Sequence, residues 1–215
     1  MKEAFRNKYL NAVYNLDREL AAFAARLKAK GLWDRALIVI IGDSGEAFHE
    51  HGFGNHSGPV YDEVMRTFVM LKPPKGSDLG STLPLGTFNE AVSHLDITAT
   101  IPDLLGIPVP DSFQGRSVLR RGGNRDGEGA VFMHSNAFVK QNGMVRWPWK
   151  FLKTYYPFEK TELYDLERDP GETQNLASAE ADKVANLSAQ LDLWINRHLL
   201  YYSAPEYYSR YSPPK

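Results

Sequence analysis

Residues 27–46 read LKAKGLWDRALIVIIGDSGE, and this stretch decides the fold. It leaves an amphipathic segment, passes Gly31, runs through the apolar residues ALIVII at 36–41 and breaks into GDSG. A glycine directly after a helical pattern is where a left-handed C-cap belongs. A short β-branched run without alternation suits a strand covered on both faces of a sheet. Helix, glycine turn, buried strand and polar loop together read as an αβ unit, and in such units ligands bind just beyond the carboxyl ends of the strands. The segment GDSGEAFHEHGFGNH (42–56) lies in that place and holds one Asp, two Glu and three His.

Upstream, Tyr9, Val13, Leu16, Leu20, Phe23 and Leu27 recur at spacings of 3 and 4, which predicts an amphipathic helix over 8–30. Downstream, TFVMLKPP (67–74) predicts a second buried strand stopped by prolines. Residues 75–88, rich in Gly, Ser, Pro and Leu, read as a loop. HLDITATIPDLLGI (94–107) predicts a helix capped near Asp96 and ended at Gly106, with Pro102 bending it or lying in its first turn. The polar break RRGGNRDGEG (120–129) divides the chain into 1–120, a partial α/β core, and 121–215, a small antiparallel β subdomain with a terminal helix. In the second part AVFMH, AFVKQ, WKFLKTYY and TELYDL read as short strands, QNG (141–143) as a hairpin turn and ERDPGE (167–172) as another turn. Val184, Leu187, Leu191, Trp194, Ile195 and Leu199 give helical spacing over 178–200. The tail YYSAPEYYSRYSPPK holds five of the eleven tyrosines, rings suited to covering an apolar surface or a partner chain.

The totals exclude several classes. A formal charge of −1 supplies no global basic field for nucleic acid or anionic lipid. The absence of cysteine rules out disulfides, thiolate zinc sites and a Cys nucleophile within these 215 residues. No apolar run approaches the roughly 20 residues of a membrane span, and the first residues lack the apolar core of a signal peptide.

Chemistry concentrates in 42–56. Asp43 follows the strand between Gly42 and Gly45, glycines that let the backbone turn sharply and approach a ligand. A carboxylate there suits a hard cation such as Mg²⁺ or Ca²⁺, and also suits a plain turn. His49, His51 and His56 are of the type used as acid, base or ligand at neutral pH, or are solvated loop residues. Ser57-Gly58-Pro59 begins like a C/S-x-P-x-R nucleophile motif, but Tyr61 stands where its Arg would be.

Four segments in register over about 170 residues resemble the sulfatase branch of the alkaline phosphatase superfamily. They are the run into GDSGE, HGFGNH…VYDEVMRTFVMLKPP, HLDITATIPDLLGIPVPDSFQGRSVL and TELYDLERDPGETQNLA. The resemblance implies the C-terminal part of an alkaline-phosphatase-like three-layer α/β fold with a small antiparallel sheet and terminal helix. It further implies a metal-dependent sulfuric ester hydrolase whose nucleophile and first metal ligands are not among these residues, so that this chain alone is inactive. Asp43 matches the family's late metal-ligand Asp, and Ser44 stands at its His or Asn ligand position, a weaker, substituted ligand. His56 matches the basic residue that contacts the substrate's sulfate or phosphate oxygens and assists the leaving group. His49, His51 and Glu46 lie in a segment that often lines the pocket. The expected cofactor is a divalent metal (Ca or Mg, with Mn or Zn open). The expected partner is a small-molecule sulfate or phosphate ester, and the exposed core face suits a homo-oligomer. The family suggests a periplasmic or extracellular location. Two alternatives remain: a phosphoesterase or phosphoryl transferase of the same superfamily, or a degenerate, non-catalytic relative, to which Ser44 points.

Overall fold

The computed structural model describes residues 2–79, 86, 91–120, 129–204, 206 and 213. Most of the break at 120–129, part of the loop at 75–88 and most of the Tyr-rich tail lie outside the described residues. The chain divides into two compact units, Met1–Gly86 and Thr87–Lys215.

In the first unit, helix α1 (Lys2–Ala29) is followed by strands β1 (Ile38–Ile41), β2 (Ala47–Phe48) and β3 (Gly54–Asn55), a single helical turn α2 (Asp62–Met65) and strand β4 (Val69–Lys72). The expected C-cap is present. Gly31 has φ +65°, and the Leu32 N–H donates to the Leu27 carbonyl at 2.9 Å. β1 pairs antiparallel with β4 from Ile38↔Lys72 to Ile41↔Val69. The expectation of a strand covered on both faces is corrected here: Ile38, Val39 and Ile40 are half-buried and Ile41 is 42 % exposed. Among the described residues β4 is the single strand paired with β1, so the apolar run lacks the neighbours its pattern calls for. α1 shows the same deficit, with Leu10, Tyr14 and Leu16 all more than half exposed. Phe48 is the anchor it does have, with the Phe5 and Tyr9 rings at 5.7 and 5.2 Å. No described helix is long and apolar enough to cross a membrane.

The second unit holds α3 (His94–Leu104), a 3₁₀ turn (Val118–Arg120), strands β5 (Val131–Asn136), β6 (Lys140–Arg146), β7 (Trp149–Tyr156) and β8 (Lys160–Asp165), and α4 (Ala181–Ser203). The cap expected near Asp96 is present, with Ser93 as the N-cap residue and Asp96 as its partner. The Ser93 hydroxyl accepts from the Asp96 N–H while the Asp96 carboxylate accepts from the Ser93 N–H, a reciprocal capping box. Pro102 sits inside the helix near its C-terminal end rather than in the first turn. Buried Asp96 also accepts from the Arg116 N–H at 2.9 Å, and Thr100 accepts from the Val118 N–H at 3.0 Å. A side chain at Gly115 would lie 1.9 Å from the Leu95 carbonyl, so only glycine lets this loop close on the helix start.

The four strands form one antiparallel sheet in the order β5-β6-β7-β8. Met144, Phe151 and Leu163 sit opposite one another across three strands. They pack with Leu187 and Leu191 of α4 into a fully buried core, each side chain contributing about 1.5–3 kcal/mol. The hairpin turn expected at QNG is corrected: Asn142-Gly143 lies inside β6, between His134-Met133 and Lys153-Leu152. Burial of Gln141, Met144 and Val145 holds that segment in the sheet, and tertiary packing overrides the local turn preference of Asn-Gly. The ERDPGE turn forms as expected. Asp165 accepts from the N–H of Glu167 and Arg168, Asp169 accepts from the N–H of Gln174, and Asn175 accepts from Leu163 and Ala177.

Candidate functional site

The loop after β1 is stitched to the chain on both sides. The Gly42 N–H donates to the Phe68 carbonyl at 3.0 Å, and the Gly45 N–H donates to the Val64 carbonyl at 2.8 Å. A Cβ on Gly42 would lie 2.1 Å from Thr67 Oγ1, and one on Gly45 would lie 2.3 Å from the Glu63 carbonyl oxygen. These glycines thus serve close packing of the loop against 63–68, whereas the sequence suggests close approach to a ligand. Between them, Asp43 and Ser44 are exposed, and Asp43 Oδ1 accepts from the Ser44 N–H at 2.9 Å.

A hairpin follows. β2 and β3 pair through Ala47↔Asn55 and Phe48↔Gly54. The His49 N–H closes it onto the Phe53 carbonyl at 2.9 Å, and the Glu50 carboxylate accepts from the Phe48 N–H at 2.6 Å. His49 and Asn55 take φ near +70°, Gly52 takes +83°, and these left-handed residues shape the loop and its exit. The His49 ring lies over Gly54, whose Cβ would meet it at 3.0 Å.

The register puts residue 46 across from residue 56, one step beyond the ladder. Glu46 Oε2 and His56 Nδ1 are 3.0 Å apart; the Glu46 side chain is 13 % exposed and that of His56 61 %. His51 goes elsewhere. Its Nδ1 is 2.8 Å from Glu63 Oε1, and its ring stacks on Tyr61 with centroids 3.8 Å apart and planes 9° from parallel. His51 therefore braces the hairpin against α2. The structure sets Asp43 and Ser44 on one exposed loop, His49 over the hairpin and His56 at its exit.

The residue that sequence reasoning left without a role is Glu46. A signal for it existed: two glycines in 52–54 bend the chain back, and folding it there brings 46 and 56 opposite each other.

The donor set fits one corner of a hard-cation site. Asp43 offers an exposed carboxylate, Ser44 a neutral hydroxyl, and among the described residues no group of three ligating side chains forms around them.

Residues 49–199 match the family described as N-sulphoglucosamine sulphohydrolase, C-terminal. That range takes in His51 and His56 and leaves Asp43 and Ser44 outside it. The chain is similar to an N-acetylglucosamine-6-O-sulfatase of Bacteroides thetaiotaomicron, 26% identical over 186 residues that cover 81% of this chain and 32% of the relative. It is 31% identical over 176 residues to a delta 4,5-hexuronate-2-O-sulfatase of the same organism, covering 75% of this chain and 35% of the relative. Among solved structures, one captured with its substrate D-glucosamine-2-N,6-O-disulfate superposes with a TM-score of 0.67 at 24% identity, covering 84% of this chain and 38% of that one. The chain spans about a third of the length of the curated relatives it matches. It belongs to the N-sulphoglucosamine sulphohydrolase C-terminal family, and its fold is that of the C-terminal part of a sulfatase.

Proposed function

We propose that this chain supplies the C-terminal part of a metal-dependent sulfuric ester hydrolase and is inactive by itself. The observation that carries the reading is the loop and hairpin of 42–56, with a carboxylate at the end of β1 and an exposed imidazole at the hairpin exit. Asp43 would hold a divalent cation, with Ser44 as a weak further ligand. Such an ion, when bound, supplies charge stabilisation for the sulfuryl oxygens. His56 would contact those oxygens through its ring nitrogen as clamp or general acid, and His49 and His51 would stand at the edge of the pocket. The named relatives act on sulfated sugars, which makes a sulfated sugar the substrate class for the whole protein. Its location would be periplasmic or extracellular, as the family resemblance suggests.

Ser44 supports a second reading, a non-catalytic relative that binds an anionic ligand. A neutral hydroxyl is a poorer cation ligand than the imidazole or amide it replaces.

The test is a turnover assay of the purified chain on an aryl sulfate and an aryl phosphate, with Ca²⁺ or Mg²⁺ present. No turnover above buffer is expected. Enzyme-like turnover by the 215-residue chain would sink the proposal.

A further inference from the structure

We propose that Glu46 is the positioning residue of His56: its carboxylate fixes the imidazole so that Nε2 is the atom presented to the substrate's sulfate. This rests on the reading of His56 as the anion-contacting residue. A carboxylate only accepts hydrogen bonds, so in the 3.0 Å contact the proton belongs to His56 Nδ1. Nε2 is then the ring's second nitrogen, on a side chain that is 61 % exposed; in the protonated ring, where both nitrogens donate, it carries the N–H that a sulfate oxygen accepts. Which nitrogen of a histidine faces its task is set by the bond the other makes.

The backbone makes the contact a built one. Ala47 is fully buried and paired with Asn55, which sets the register that brings 46 opposite 56. On one side of the pair, the Gly45 N–H is tied to Val64. On the other, Asn55 takes φ +69° and its side chain accepts from the Ser57 N–H at 2.7 Å. Residues beside both ends of the pair are thus hydrogen-bonded in place. Glu46 also follows Asp43 and Ser44 on the same run of chain, so the bond ties the candidate cation loop to the imidazole.

A pair that merely closes the hairpin would fix the same tautomer but leave sulfate binding alone, so the tautomer and the sulfate response are read together. In the full chain with ¹⁵N-labelled histidine, long-range ¹H–¹⁵N correlations are recorded where the ring is neutral. His56 is expected as the Nδ1–H tautomer, reverting to the common Nε2–H form in Glu46→Ala. Inorganic sulfate, added against chloride at equal ionic strength and at a pH low enough to protonate the ring, is expected to shift His56 Nε2. The half-saturating concentration should rise about fivefold in Glu46→Ala, the loss of one ordinary hydrogen bond. An Nε2–H tautomer in the unmodified chain overturns the positioning role and leaves the reading of the site standing. So does an Nδ1–H tautomer that survives Glu46→Ala. The expected tautomer with no response to sulfate overturns the reading of the site and this inference with it. If Glu46→Ala loses the Ala47 and Asn55 amide signatures of the hairpin, the tautomer of the unmodified chain decides.

Discussion

Gly45 donates its N–H to the Val64 carbonyl at 2.8 Å and leaves no room for a side chain, since a Cβ there would sit 2.3 Å from the Glu63 carbonyl oxygen. The obstacle is backbone, which cannot rotate away as a side-chain end can. Gly45→Ala should therefore push the GDSG loop off the 63–66 turn and lower stability by about 1–3 kcal/mol, the usual cost of overpacking. Urea denaturation followed by tryptophan fluorescence measures it. An unchanged midpoint would mean that the loop is not held this way.

Lys150 and Glu172 are both buried, with nitrogen and oxygen 2.7 Å apart, and link β7 to the turn after β8. Removing either partner breaks a buried ion pair, which costs about 3–5 kcal/mol. Lys150→Met and Glu172→Gln should each lower the denaturation midpoint strongly. The double variant should lose less than the sum of the two single variants, because neither charge then remains. Additive losses would contradict the pairing.

The longer elements were legible in the sequence because periodicity reports burial over many residues. α1 and α4 follow from their 3-and-4 spacing, and β1 and β4 from short apolar runs bounded by Gly and Pro. The site was legible in composition but not in geometry. β2 and β3 have two residues each, too few to carry a period, and the hairpin is set by left-handed residues and register. Glu46 was passed over for that reason. Asn142-Gly143 misled for the opposite reason: a strong local turn signal yielded to the buried neighbours Gln141 and Met144. The reading of β1 as doubly buried is not met: among the described residues it pairs with β4 alone.

If Asp43 is the cation-holding carboxylate, calorimetry with Ca²⁺ should show weak binding that Asp43→Asn removes. Ser44→Asn, which offers a carbonyl oxygen in place of a hydroxyl, should tighten it. Binding untouched by both changes would place any cation elsewhere. Binding lost with Asp43→Asn but not improved by Ser44→Asn favours the non-catalytic reading.

Val13 at 44 %, Leu16 at 56 % and Phe23 at 48 % exposure share one side of α1 and form an exposed apolar face. The isolated chain should associate with itself in a concentration-dependent way, seen by sedimentation velocity. Leu16→Glu combined with Phe23→Glu should shift the population toward monomer while leaving the helical content unchanged. A strictly monomeric chain at every concentration would count against self-association through this face.

The most direct test of the central claim, that 42–56 carries the sulfate-handling part of a sulfatase site, is a backbone amide map of the ¹⁵N-labelled chain. Inorganic sulfate replaces chloride at constant ionic strength, with and without Ca²⁺. The account expects saturable shifts confined to the GDSG loop and the hairpin exit at His56, strengthened by Ca²⁺. No saturable shift in that segment, or saturable shifts confined to some other part of the chain, would contradict it.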